Sequence, residues 1–209
     1  QIVMFFIINA IMGISIYFTL ASGQLSLGAA GFMSVGAYVG AMLSLKADLP
    51  IIVGIIIGGL VASLVAVIIG LPTTRLRGLY LAIATLGFGE VVRVIFLNLD
   101  VTNGALGLSG IPSIPQELTN YAYEFDIDGL MGLDAVTWGN LMAIIILLVV
   151  LALIIAFCVR INNSRVGRAF AAIKADDHAA ELMGINVVYY KMMAFIIGAF
   201  IAGIGGGLY

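Results

Sequence analysis

Long apolar runs alternate with short polar segments along the chain. A helix needs about 20 mainly apolar residues to cross the hydrocarbon core of a bilayer. Six runs approach that length: 2–21, 27–45, 51–71, 79–98, 138–159 and 192–209. The second run is rich in Gly, Ala and Ser, so it forms either one continuous helix or a broken, re-entrant one. The pattern predicts an all-α polytopic membrane protein.

Charged residues alternate in sign between the polar segments that join these runs. The loop that holds Arg75 and Arg77 contains no acid, whereas 99–137 contains six acids and no Lys or Arg. Because Lys and Arg are retained in cytoplasmic loops, this alternation predicts one transmembrane domain over 1–209. It places 99–137 outside as an external loop and 160–191 inside as a cytoplasmic segment. The basic residues of that last segment are Arg160, Arg165, Arg168, Lys174 and Lys191.

The cytoplasmic segment has the pattern of two short helices. Residues 162–164 offer an N-cap, and apolar residues then recur at helical spacing. Residues 175–177 break this pattern and can cap a second helix, 178–183. Gly184 is placed to end that helix, because glycine adopts the left-handed conformation without steric cost. A capped helix pair with basic ends suits either a docking surface or a simple connector, and the residues alone leave both open.

The external loop begins with a stretch rich in glycine that ends in two prolines, a composition typical of turns. Tyr121, Tyr123, Phe125 and Trp138 follow amid acids, which predicts a short interfacial helix and an aromatic belt at the membrane surface. A docking or gating surface and a plain connector are both compatible with this composition.

Three pairs of glycines have the GxxxG spacing that lets membrane helices approach closely. We interpret these pairs as packing surfaces rather than ligand sites. The glycine-rich second run also offers a narrow aqueous path, with Gln24, Ser26 and Ser34 as candidate lining residues. The GxxxG pairs are Gly36 and Gly40, Gly54 and Gly58, and Gly203 and Gly207.

Glu90 is the acid that lies well inside a predicted span. Arg93 follows three residues later, so the two side chains share a helix face and can form an ion pair. A charge at the bilayer centre costs about 3 kcal/mol on insertion scales, so such groups are usually paired and functional. The pair either fixes the rotation of its helix or takes part in the translocation path or gate. In an ion-coupled secondary transporter, the same pair would serve for coupling.

Composition excludes several classes of function. Of the 209 residues, 63% are hydrophobic and 10% are charged, far from the roughly 25% charged residues of a soluble domain. A single Cys158 and a single His178 exclude an internal disulfide and a histidine-based metal cluster. The sequence lacks a phosphate-binding loop, a catalytic constellation and a basic-aromatic surface for nucleic acid. The chain is therefore predicted not to be an enzyme. Because it begins without a signal-peptide pattern and stops inside an apolar run, we expect a fragment cut at both ends.

Four stretches, 23–38, 71–93, 102–112 and 164–195, resemble the LivM-type permease subunits of ABC importers for branched-chain amino acids. Urea importers use closely related permeases, so a urea or short-amide importer is the alternative. The resemblance implies a multi-pass protein of the inner membrane. Its implied partners are a LivH-like second permease, two cytoplasmic ATPase subunits and an external solute-binding protein. It also implies that this chain binds no cofactor and that ATP-Mg is bound by the ATPase subunits.

The resemblance also implies which residues couple the permease to the ATPases. The family's coupling element has the form EAAxxxG, and His178 stands here where the family usually has Glu. Asn103 is a second, minor departure, since TGG is commoner in that loop. The residues that match this coupling element are Ala179, Ala180 and Gly184. Together with Arg165, Gly167 and Arg168 of the basic cytoplasmic segment, they are the predicted coupling residues.

Overall fold

Within the residues that the computed structural model describes, the chain folds into nine α-helices. The described residues are 2–46, 50–73, 76, 78–108, 110–111, 113–124 and 135–209. The six long helices are α1 (Ile2–Ala21), α2 (Ala29–Lys46), α3 (Ile51–Thr73), α4 (Leu79–Asn98), α6 (Ala135–Asn162) and α9 (Val187–Leu208). The short ones are α5 (Ile114–Glu124), α7 (Arg165–Ala175) and α8 (Asp177–Leu182), with 3₁₀ turns at Asp100–Thr102 and Gly104–Leu106.

Each of the six predicted spans is present as a helix long and apolar enough to cross a membrane. The described residues contain no strand, so the predicted all-α class is confirmed. The second run forms one continuous helix, α2, preceded by an irregular segment at 22–28. The last span begins at Val187 rather than at 192, because the Asn186 side chain accepts a hydrogen bond from the Tyr189 N–H at 3.0 Å and caps the helix there.

Helices α2, α3 and α9 form the centre of the bundle and meet at the predicted GxxxG glycines. A methyl group built on Gly36 would overlap the backbone of Gly203, and one on Gly58 would lie 2.6 Å from the Gly36 carbonyl oxygen. A methyl group on Gly54 would lie 3.0 Å from the Gly40 carbonyl oxygen. In lipid, such backbone-to-backbone packing replaces the hydrophobic effect as the force that holds helices together. The packing interpretation of these glycines is confirmed.

The remaining long helices surround this centre. The Ser15 hydroxyl of α1 donates to the Gly198 carbonyl of α9 at 2.8 Å. Helix α4 lies against α2, where Tyr38 and Phe96 stack with ring centroids 4.2 Å apart. The Thr85 hydroxyl of α4 accepts from the Leu27 N–H at 2.9 Å, which joins α4 to the irregular segment 22–28.

The predicted external loop and the predicted cytoplasmic segment lie at opposite ends of the bundle. At one end, the Lys46 ammonium at the close of α2 donates to the Val101 carbonyl of the predicted external loop at 3.3 Å. At the other end, the turn after α1 packs against α7, since a methyl group on Gly23 would lie 3.2 Å from the Lys174 Cα. Helix α5 is the short helix that the aromatic pattern of the external loop predicts. Three residues named above lie outside the described residues: Phe125 of this loop, and Arg75 and Arg77 of the opposite end.

Candidate functional site

The helix pair α7–α8 follows the caps and turns that the sequence predicts. The Ser164 hydroxyl oxygen accepts from the Val166 N–H at 3.1 Å and caps α7. Helix α7 then buries one apolar face, made by Ala169, Phe170 and Ile173, and leaves its polar face exposed. Since α7 has 11 residues and short helices are marginal alone, this buried face fixes it to the bundle.

Helix α8 is closed at both ends by local hydrogen bonds. The Asp176 carboxylate accepts from the N–H groups of His178 and Ala179 at 2.8 and 3.1 Å. At the other end, the Gly184 N–H donates to Glu181 O and the Ile185 N–H donates to Ala180 O, with Gly184 at φ 82°. These two bonds form a Schellman motif, which requires the left-handed conformation at Gly184.

The backbone bonds from Ala179 and then from His178 lower the pKa of Asp176 from its ordinary value of 3.8. A lowered folded-state pKa means that the cap contributes fully above pH 3.8 and is lost as the pH falls through the folded value. We predict that Asp176→Ala accelerates hydrogen exchange at the His178 and Ala179 amides, measured by mass spectrometry. Asp176→Asn is the control, because Asn also caps helices. If these two amides exchanged as slowly in Asp176→Ala as in the unsubstituted protein, the cap would not stabilise the start of α8.

The six predicted coupling residues occupy one end of the bundle but play different structural parts. Arg165, Arg168 and Ala179 are exposed, whereas Ala180 is buried against the bundle. Gly167 permits close approach, because a methyl group there would overlap the Asn162 backbone. Gly184 ends α8, and His178, which stands where the family usually has Glu, lies in the first turn of α8 with an exposed side chain.

The sequence pattern does not predict two features of this region. Leu182 and Met183 project from the end of α8 with 89% and 82% of their surface exposed. Lys191 is buried, and its ammonium lies 2.5 Å from the Asp177 carboxylate at the start of α8. The signal for this pair was available, because Lys191 stands between Tyr190 and two methionines and a buried cation needs a partner.

The structure does not bring the five predicted path residues together. Gln24 and Ser26 are buried in segment 22–28 at the α7 end of the bundle. The Gln24 side-chain nitrogen has no hydrogen-bond partner among the described residues. Ser34 lies further along α2 and donates to Ala30 O at 3.0 Å within the helix. Glu90 and Arg93 lie on a third element, α4.

Glu90 and Arg93 form the ion pair that their spacing predicts. Their closest atoms are 2.5 Å apart, and the Arg93 Nε also contacts both carboxylate oxygens at 3.0 and 3.1 Å. The side chains are 57% and 60% exposed, on the outer surface of this bundle. The pair therefore lies on the periphery of the described part of the chain, and its part in a path or gate stays a prediction.

A cavity of about 760 Å³ opens at the opposite end of the bundle, beside the predicted external loop. None of the five predicted path residues is among its described lining. Helices α1, α2, α3, α5, α6 and α9 all contribute to it, and most of its walls are apolar. Among the described residues, the lining side chains that bear polar atoms are uncharged: Ser44, Ser113, Gln116, Thr119, Asn140 and Tyr209. Its volume lies in the range of about 300–1,000 Å³ that is typical of small-molecule sites.

The described part of the chain has six helices long and apolar enough to cross a membrane, which is the architecture of a polytopic membrane protein. Residues 1–209 match the family described as "Branched-chain amino acid transport system / permease component", and the chain belongs to that family. The family to which the four sequence stretches point is thereby confirmed, and so is a multi-pass protein of the inner membrane.

Two similar proteins share one name. The chain is 33% identical over 212 residues to the "High-affinity branched-chain amino acid transport system permease protein LivM" of Salmonella typhimurium. It is 35% identical over 214 residues to the protein so named in Escherichia coli. Each alignment covers 97% of this chain and 48% of the relative, so the chain spans about half the length of the curated relatives it matches. No solved structure matches it significantly.

Proposed function

We propose that this chain belongs to the transmembrane permease subunit of an ATP-driven ABC importer for branched-chain amino acids. It would work with a LivH-like second permease, two cytoplasmic ATPase subunits that bind ATP-Mg, and an external solute-binding protein. Family membership supports the class, and the names of the relatives support the substrate class. A urea or short-amide importer is the alternative within the same class.

The observation that carries the coupling function is the build of the α7–α8 pair. Both helices are capped and packed on the bundle, yet Leu182 and Met183 stand almost fully exposed at the end of α8. Because this end lies at the cytoplasmic side, lipid does not cover these side chains, and a soluble partner with an apolar groove would. The exposed Arg165 and Arg168 on α7 would add contacts to the same partner.

The external cavity supports a path for a small, largely apolar solute. An aliphatic amino acid is neutral overall, and the uncharged polar groups of the cavity suit its two backbone charges through hydrogen bonds. Gln24 and Ser26 stay candidates for the cytoplasmic end of the path. Both are buried, and the Gln24 side-chain nitrogen has no hydrogen-bond partner among the described residues. Loading would then occur at the external end, and closure of the ATPases would drive release at the cytoplasmic end.

The test is solute uptake by the full-length permease reconstituted with its partner subunits in vesicles. Uptake should require ATP and the solute-binding protein, and it should resist protonophores. Uptake by the permease alone that collapses with a protonophore would instead support the ion-coupled transporter. In that class Glu90 and Arg93 are the coupling pair, although they lie on α4 away from the cavity.

Glu90→Gln tests the predicted part of Glu90 in the path or gate. The substitution removes the negative charge and leaves the Arg93 guanidinium without its carboxylate partner within the membrane. We expect uptake to fall roughly tenfold, which corresponds to about 1.4 kcal/mol. The same assay at equal protein level measures this. Unchanged uptake would remove Glu90 from the path and gate.

A further inference from the structure

The ion pair between Asp177 and the buried Lys191 joins the short helix α8 to the long helix α9. Asp177 is the first residue of α8, and Lys191 lies in the second turn of α9. The Lys191 side chain is 11% exposed and that of Asp177 is 23% exposed. A cation this buried is costly unless a carboxylate compensates it, so the pair has a defined geometry rather than a fluctuating surface contact.

The pair determines how α8 is held. Helix α8 has six residues and is too short to be stable alone. Its C-terminal end is fixed by the Schellman turn at Gly184, which leads directly into α9. Its N-terminal end is fixed to α9 by the bond from Lys191 to Asp177. Both ends of α8 are therefore attached to α9, and α8 cannot tilt without moving the start of α9.

Helix α9 is in turn the most deeply buried of the six long helices. It contacts α2 through Gly203 and Gly206, and it contacts α1 through Gly198 and Ser15. A displacement of the start of α9 is therefore passed to the centre of the bundle through backbone contacts rather than through flexible side chains. A route from the exposed tip of α8 to the centre of the bundle is continuous in the structure.

We propose that Asp177 and Lys191 form the positioning link that transmits movement of α8 to α9. Neither residue needs to touch the solute or the ATPase. This inference rests on the proposed coupling function of α7–α8 and names the residues through which that coupling reaches the membrane. Loss of the link would leave α8 joined to α9 only at its Gly184 end, so a movement of α8 would be passed less completely to α9.

The experiment measures solute transported per ATP hydrolysed by the full reconstituted complex. Asp177→Asn and Lys191→Met should each lower this ratio at least about fivefold, while the ATPases still co-purify with the permease. The double variant should be no worse than either single variant, because both remove the same bond. Asp177→Glu should retain most of the ratio, and Asp100→Asn, an exposed acid near the external end, should not change it.

Three outcomes would decide against the link. Normal ratios with a lower yield of complex would mean that the pair only stabilises the fold. If the ratio in the double variant fell by the product of the two single-variant reductions, the two residues would act separately. A low ratio in Asp177→Glu, like that of Asp177→Asn, would mean that the carboxylate is not what matters. Failure of the proposed function is distinguishable, since the unsubstituted complex would then transport without ATP.

Discussion

Gly36→Leu is expected to reduce the yield of correctly folded permease to a small fraction of that of the unsubstituted protein. Even one methyl group at Gly36 would overlap the backbone of Gly203, and the Gly36 carbonyl also lies against Gly58. Backbone atoms cannot rotate away as a side chain can, so α2, α3 and α9 would have to separate. Overpacking a well-packed core costs about 1–3 kcal/mol and sometimes more. Here the contacts among all three helices, α2, α3 and α9, would be disturbed together. The yield of monodisperse protein after detergent extraction and its thermal unfolding midpoint measure the effect.

Gly87→Leu is the matched control for this prediction. Gly87 also lies in a long helix, but nothing stands within 4 Å of the position that its Cβ would occupy. Replacing an unpacked helical glycine should be neutral or slightly stabilising, because glycine is a poor helix former. Equal losses in the two variants would show that side-chain bulk in general, and not the glycine contact between α2 and α9, limits folding.

Gly184→Val should remove ATP-driven uptake while the permease remains inserted in the membrane. Gly184 has φ 82°, where a β-branched residue is strongly disfavoured, although no atom lies within 4 Å of the added Cβ. Strain of about 1–3 kcal/mol at such a position is enough to open the Schellman turn in most molecules. The end of α8 that carries Leu182 and Met183 would then lose its fixed direction. We expect uptake to fall at least roughly tenfold in the reconstituted complex.

Gly184→Asn separates backbone conformation from side-chain bulk in this experiment. Asparagine adopts the left-handed conformation more readily than other residues with a side chain, and it also occurs at this position of helix ends. Its side chain is similar in size to valine, so contact with a partner would be disturbed to a similar extent. We expect Gly184→Asn to keep most of the uptake. If it fails as completely as Gly184→Val, the space beside Gly184 matters and the backbone conformation does not.

The sequence predicts the helices well because the determinants of each are local. A membrane helix is defined by its length and apolarity, and a cap by one or two residues, so Ser164, Asp176 and Gly184 could be identified by position. The error at the start of α9 has the same origin. The charge of Lys191 predicts that the cytoplasmic segment ends there, whereas a lysine paired with a carboxylate can lie buried within the helix itself.

The site is less predictable because its parts are joined across the chain. Nothing in the spacing shows that Gly36 meets Gly203, or that six helices, the short α5 among them, line one cavity. Polar residues in apolar runs are path candidates by sequence, but a polar side chain in a helix can also bond its own backbone, as Ser34 does. Burial and direction, which distinguish these cases, depend on tertiary packing.

The glycine contacts also determine which parts of the bundle are able to change shape. Where α2, α3 and α9 meet backbone to backbone, there is no intervening layer of side chains that could adopt a second set of rotamers. These three helices are therefore expected to move as a single rigid body. A hinge or sliding surface has to lie at borders filled by side chains, such as that between α1 and α6, where Phe18 meets Phe157 with ring centroids 6.4 Å apart.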